Sequence, residues 1–242
     1  MNFPAEAVLL VGGLGTRLKT LTQNIPKPML SVGDRPFLEH LILRLKKEGI
    51  ARFILATAYL SDKMRDYFGD GRKWGITIVY SDPQGRQLGT AGSIKEAEEE
   101  IEGKQFFAFN GDVYFDVSLR ELWEFHQRKK ARATLALARL ADTGRYGTVS
   151  IDGAGAIAGF LEKNKNPTGA DALINGGAYV FDKSILGLVP AGKDFSLEYH
   201  VFPKLAGKSL YGLLFPRAFF IDIGTPEDYQ RAQELLPPLL PR

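Results

Sequence analysis

The sequence predicts an α/β domain of three layers, a mixed central sheet between helices, extended by a small antiparallel subdomain. Three observations carry that expectation. The first half alternates short apolar runs with amphipathic segments, the pattern of parallel strands joined by crossover helices. The second half is richer in strand-like runs separated by Gly-rich turns. No Pro/Ser-rich linker, low-complexity stretch or repeat interrupts the 242 residues, so a single domain over 1–242 is expected, with halves of about 1–130 and 131–242.

Each element follows from its local pattern. "AVLLV" (7–11) is a continuous apolar run ending in Gly, as befits a strand covered on both faces. Pro36 opens a helix that runs to Gly49, with Pro in the first turn and Gly at the end. "RFILAT" (52–57) reads as a strand, Ser61-Asp62 as the cap of a short helix through Phe68, and "ITIVYS" (76–81) as the next strand. A helix is expected over 91–102, a strand over 105–110, and a helix to Lys130 opened by the capping box Ser118…Glu121. Further strands are expected over 133–140, 146–151, 156–163, 173–182, 210–215 and 219–223. Thr225-Pro226 starts a last helix, Thr as cap and Pro in the first position.

Composition excludes several classes of function. A formal net charge of +3, spread among acids, gives no nucleic-acid surface. The densest basic run, Arg128 to Arg132, ends a helix, where cations suit the macrodipole. With no cysteine there are no disulfides, thiolate metal sites or cysteine nucleophiles, which fits a reducing cytoplasm. Neither a signal peptide nor a membrane span of roughly 18 apolar residues is expected. His40, His126 and His200 lack the spacing of a metal pair, and no Ser sits in a G-x-S-x-G turn.

Four constellations carry chemistry. In "VLLVGGLGTRL", a strand end followed by Gly12, Gly13 and Gly15 lets backbone N–H groups approach an anion, and Arg17 adds a forked cation. The spacing is neither that of a dinucleotide fingerprint nor of a Walker loop. Lys27 stands between Pro26 and Pro28, which hold its backbone in place. Asp112 follows an apolar strand at its carboxyl end, where open α/β sheets bind ligands; a turn-forming Asn-Gly-Asp is the competing reading. Asp222 interrupts another apolar run and can converge with Asp112 on one divalent cation. Glu162 and Lys163 end a strand, as sugar and phosphate contacts or as surface charges, with weaker signals from Gly147 and Asn175. "LGTAGS" (88–93) either approaches a flat ligand or starts a helix at Thr90.

"GGLGTRL…IPKPML", "LGTAGS", "NGD", "EK" and "DIGTPEDY", in this order, resemble the sugar-1-phosphate nucleotidyltransferase family over nearly the whole chain. The resemblance implies a Rossmann-like α/β/α fold, Mg²⁺, a nucleoside triphosphate and a sugar 1-phosphate. It implies that Leu10, Gly12, Gly13, Gly15, Thr16, Arg17 and Lys27 hold the nucleotide, with Gly89 and Thr90 beside base and ribose. It further implies Asp112 and Asp222 as metal ligands, and Gly147, Glu162, Lys163 and Asn175 as sugar-phosphate contacts. Arg17, Lys27, Asp112 and Asp222 would be the catalytic set.

"GRYGTV", "LINGGAYVFDKSIL" and "FSLEYHVFPKL" look most like the family's D-glycero-D-manno-heptose 1-phosphate guanylyltransferase branch, which makes GTP the expected nucleotide. Val11 stands where Ala is usual, and Thr20 and Asn164 each replace a frequent Pro, which leaves the sugar open. Mannose 1-phosphate guanylyltransferase and other hexose or amino-sugar uridylyl- or thymidylyltransferases are the alternatives, with base choice set around residues 82–90. A non-catalytic nucleotide-sugar-sensing subunit is a further one. A metal-dependent glycosyltransferase would want D-x-D, and Asp112-Val113-Tyr114 lacks the second Asp. A homodimer is a candidate assembly; neither nucleic acid nor membrane is an expected partner.

Overall fold

A strand without a polar face has to be covered on both sides, and Glu6–Leu10 (β1) lies at the centre of the sheet. The computed structural model describes residues 2–13, 15–58, 60–140, 146–161 and 172–239. After β1 come a two-residue hairpin, Ser31–Val32 (β2) and Arg35–Pro36 (β3), then Phe37–Lys47 (α1), Arg52–Ala56 (β4), Ser61–Phe68 (α2) and Thr77–Ser81 (β5). Gly89–Glu96 (α3), Gln105–Asn110 (β6), Val113–Phe115 (β7) and Leu119–Lys129 (α4) complete the first half. The second half holds Ala133–Leu140 (β8), Thr148–Ile151 (β9), Ile157–Leu161 (β10) and Ala172–Asp182 (β11). It ends with Phe202–Leu205 (α5), Leu210–Leu214 (β12), Phe220–Asp222 (β13) and Pro226–Leu235 (α6).

Nine of these strands form one sheet, in the order β10-β9-β11-β6-β1-β4-β5, with β8 joined to β11 and β12. The β6-β1-β4-β5 block is parallel throughout, and β11 runs antiparallel to β6, so the sheet is mixed as expected. The strands of the second half pair antiparallel as expected, with one exception among the described residues. β12 enters on the far side of β8 and runs parallel to it. A small separate ladder pairs β7 with β13.

The alternation of side chains produces the three layers. Leu9 and Val11 of the β1 segment and Phe107 and Phe109 of β6 share one core with Leu38, Leu41, Leu45, Met64 and Leu122 of the helices. Val8, Phe106 and Ala108 face the other way, into a core with Ala91 and Ile94 of α3 and Leu197, Val201 and Phe202. A third cluster seats β7, β13 and α6 on the β2–β3 hairpin through Tyr114, Ile221, Ala232 and Val32. Glu6 is buried at the start of β1, yet its carboxylate accepts from Arg52 Nη1 (3.2 Å) and from the amides of Glu102 (3.2 Å) and Gly103 (2.6 Å).

Several local expectations hold and two do not. Ser118 Oγ accepts from Glu121 N at 3.3 Å. Thr225 Oγ1 accepts from Asp228 N at 3.2 Å and donates to its carboxylate at 2.6 Å. Ser61, expected to cap α2, instead donates to Asp82 Oδ2 at 2.6 Å, and the cap position falls on Leu60 with a φ of 53°. The helix expected over 91–102 breaks after Glu96 into a 3₁₀ turn at Glu98–Glu100. Three successive glutamates there meet the negative end of the helix dipole.

Candidate active site

From β1 the chain proceeds to β4 and β5 on one side, while β6 lies on the other. The strand order therefore reverses between β1 and β6, and a crevice lies at their carboxyl ends, the usual ligand position in such sheets. A cavity of about 270 Å³ occupies it. Leu10 to Gly13 and Gly15 line it after β1, Lys27 and Pro28 beyond them, and Ala58 after β4. Gln87 to Thr90 and Ser93 of the α3 region form the opposite wall, and Asn110 and Asp112 complete the lining after β6.

The ends of β1 and β6 meet closely at Gly111. Its amide donates to Leu10 O at 2.9 Å, and a Cβ there would lie 2.5 Å from Val11 Cγ1 and 3.0 Å from Leu10 O. This close approach places Asp112 beside the glycine loop. The loop then turns into a 3₁₀ helix, Thr16–Thr22, pinned by Thr22 Oγ1 donating to Gly15 O at 3.1 Å. Beyond it, Lys27–Met29 form a single 3₁₀ turn between the prolines, with Met29 N bonded to Pro26 O at 2.8 Å. The turn directs a largely buried Lys27 inward, and its ammonium forms an ion pair with the Asp112 carboxylate. A buried ammonium needs such a partner to stay charged.

The second acid and the second cation approach from another direction. In the β7–β13 ladder Asp222 stands opposite Val113, and Ile223 N donates to Asp112 O at 3.0 Å. Asp112, the residue just before β7, thus lies diagonally across from Asp222 of β13. Asp222 is 9% exposed, and its Oδ1 accepts from Gly224 N at 2.7 Å. Arg17 lies outside the cavity lining and beside this corner. Its Nη2 is 3.7 Å from the point a Cβ on Gly224 would occupy, and Asp222 Oδ1 is 2.5 Å from the same point.

No group of three His, Cys, Asp or Glu side chains able to hold a metal occurs among the described residues. Asp112 lines the cavity and Asp222 lies outside its lining. Both offer hard carboxylate oxygens, the donor type of a cation such as Mg²⁺, which takes one or two carboxylates and completes its shell with phosphate oxygens and water.

The remaining candidates are dispersed. Gly89 and Thr90 line the cavity. Thr16 begins the 3₁₀ helix. Asn175 donates to Tyr179 Oη at 2.9 Å and accepts from Gly177 N at 3.1 Å, bracing the register shift of β11. Gly147 is exposed ahead of β9 and does not line the cavity. Glu162 and Lys163 lie outside the described residues. Gln87, Leu88, Ser93 and Asn110 fell within stretches singled out in the sequence without being named as contacts, Val11 and Pro28 flanked named residues, and Ala58 carried no signal.

The histidines do not reach the cavity lining. His126 is fully buried against Thr134 Oγ1 (2.8 Å), and burial lowers its pKa to about 4. Burial likewise lowers that of His40, bonded to Val32 O at 2.8 Å. His200 Nδ1 accepts from Ser196 N at 2.9 Å.

Residues 6–237 match the model of the nucleotidyl transferase family, and the chain belongs to that family of enzymes. Among individual relatives, it is 40% identical over 232 residues to the D-glycero-alpha-D-manno-heptose 1-phosphate guanylyltransferase of Aneurinibacillus thermoaerophilus, spanning 96% of this chain and 98% of that one. It is 38% identical over 229 residues to the mannose-1-phosphate guanylyltransferase of Mycobacterium tuberculosis, covering 93% of this chain but 63% of that relative's length. The crystal structure of HddC from Yersinia pseudotuberculosis complexed with GMP-PN superposes with a TM-score of 0.82 at 33% identity, over 96% of this chain and 99% of the other.

Proposed function

We propose that this chain is a Mg²⁺-dependent guanylyltransferase that joins GTP and D-glycero-D-manno-heptose 1-phosphate into GDP-heptose, releasing pyrophosphate. The observation that carries the reaction class is the Lys27–Asp112 ion pair in a glycine-lined crevice, with Asp222 on the adjacent strand. The end-to-end match to the heptose relative supports the sugar, and the GMP-PN complex of the structural neighbour supports a guanine nucleotide.

In this reading the amides of Gly12, Gly13, Gly15 and Thr16 cradle the triphosphate, and Leu10, Gly89 and Thr90 flank ribose and base. Gly147, Glu162, Lys163 and Asn175 serve the sugar phosphate. Asp112 and Asp222 would hold Mg²⁺, which when bound offsets the charge of the phosphate oxygens. A phosphate oxygen of the sugar 1-phosphate, already anionic at neutral pH, attacks the α-phosphorus of GTP. The bond from that phosphorus to the bridging oxygen breaks, and pyrophosphate carries away the electron pair. No proton has to move, in keeping with a cavity lining that contains no histidine.

The obstacle is the repulsion of two polyanions, so the protein's task is to position them and neutralise their charge. Lys27 is held for that task by its two prolines and Asp112. Arg17, at the corner by Asp222 and Gly224, would meet phosphate entering from that side.

Mannose 1-phosphate is the second reading, favoured by 38% identity to the mycobacterial enzyme. Incubation with each of the four NTPs and a panel of sugar 1-phosphates, with mass detection, tests both. GDP-heptose as the dominant product supports the assignment; GDP-mannose alone replaces the sugar, and a UDP- or dTDP-sugar overturns the base. A nucleotide substrate and a chain without cysteine suit the cytoplasm, the location proposed. No helix among the described residues is long and apolar enough to cross a membrane.

A further inference from the structure

The cavity wall opposite the glycine loop is braced from outside by residues 193–199, which lead through a π-helical turn, Leu197–Val201, into α5. Phe195 O accepts from the amides of Ala91 and Gly92 at 2.8 and 3.0 Å, and Phe195 N donates to Leu88 O at 2.9 Å. The two segments touch so closely that a Cβ on Gly89, whose φ is +64°, would lie 2.5 Å from Asp194 Oδ1 and 2.9 Å from Phe195 O. A Cβ on Gly92 would run into Lys193 O. No side chain caps α3, so the start of this eight-residue helix depends on the brace.

Side chains complete it. Thr90 Oγ1 accepts from Leu197 N at 2.8 Å and donates to Glu198 Oε2 at 3.2 Å. Ser196 Oγ donates to the same carboxylate oxygen at 2.9 Å while accepting from the amides of Glu198 and Tyr199 at 3.1 and 3.2 Å. One carboxylate oxygen of the half-buried Glu198 therefore gathers two hydroxyls, one of them from a residue that lines the cavity. Near it is Tyr179 of β11, fully buried and bonded to Asn175. Burial pushes the Tyr179 phenol well above its usual range, and the nearby Glu198 charge adds to that.

We propose that Glu198 is a positioning residue for the nucleotide: by holding Thr90 it sets the Gln87–Thr90 wall against which the base and ribose lie. This rests on the nucleotide reading given above. Charge-assisted hydrogen bonds of this kind are among the stronger ones, so their loss should be visible in binding.

The test varies GTP and heptose 1-phosphate separately in Glu198→Ala and Glu198→Gln. Glu198→Ala is expected to raise the KM for GTP about tenfold, leaving the sugar KM within about twofold. Glu198→Gln, whose amide oxygen still accepts both hydroxyls, should recover most of the loss. Thr90→Val should reproduce the defect and Thr90→Ser should not, and this pair decides if Glu198→Ala does not fold. An equal rise in both KM values, a loss confined to kcat, or a Gln variant as impaired as Ala overturns the proposal. If the wild-type chain makes no nucleotide sugar, the reaction is refuted separately, and calorimetric GTP affinity decides this point. Weaker binding by Glu198→Ala then upholds the positioning role, and unchanged binding overturns it.

Discussion

Lys27 and Asp112, brought together from two different loops, form an ion pair on the wall of the crevice between β1 and β6. Each explains the other's position. The ammonium is nearly buried and needs a counter-charge, and the carboxylate stands at a strand end where it serves no packing purpose. Together they place one positive and one negative group where a triphosphate and its cation would meet.

Removing either partner should cost turnover, and loss of Asp112, which leaves a nearly buried ammonium without its counter-charge, should cost stability as well. Lys27→Ala or Asp112→Asn is expected to lower kcat by about 10²-fold or more, the scale of losing one electrostatic stabiliser. Continuous pyrophosphate detection measures it, and full turnover in either variant would contradict the assigned roles.

Divalent-cation removal gives a second check. Chelation with EDTA should abolish product formation, and added Mg²⁺ should restore it, because in the proposed reading Asp112 and Asp222 leave phosphate oxygens and water to complete the shell. Undiminished turnover in chelator rules out a metal at Asp112 and Asp222.

Gly111 provides a structural prediction. A methyl group there would stand 2.5 Å from Val11 Cγ1 and 3.0 Å from Leu10 O, so the two strand ends must separate. Gly111→Ala should destabilise the fold by about 1–3 kcal/mol, the usual cost of overpacking. It should also displace Asp112 and lower activity. Urea melts that match wild type would show that the strand ends yield without cost.

His126 should make stability depend on acid. Its folded pKa is about 4 against the usual 6.5, so between those values the unfolded chain binds the extra proton. Stability therefore rises with pH across that window, is complete above it, and is lost as pH falls through it. The contribution lost on going from about pH 7.5 to about pH 5 is on the order of 2 kcal/mol. His126→Gln should flatten that limb of the urea-melt profile. His40, lowered in the same direction, keeps part of the slope. A variant with the wild-type slope would remove His126 from the account.

Much of the fold was legible because burial leaves a period in the sequence. β6 and β8 have the expected bounds, since apolar runs of six and eight residues have few alternatives. The hairpin of β2 and β3 and the three-residue β7 were invisible, being too short to establish a period. Ser61 has the composition of a cap and takes another partner, because Asp82 arrives from a distant strand. Within the site, glycines and a proline-flanked lysine could be read locally, whereas Ala58, just after β4, carried no local signal.

The sequence by itself determined the alternating layers, the glycine loop after the first strand and the chemical types available to the site. Only the tertiary structure decided which of those groups meet. Lys27 reaches Asp112, Arg17 goes to the corner of Asp222 and Gly224, and Thr90 spends its hydroxyl on Leu197 and Glu198. The reason is physical: local periodicity records which face of an element is buried, but a meeting between distant residues depends on strand order and loop path. No window of neighbouring residues encodes either.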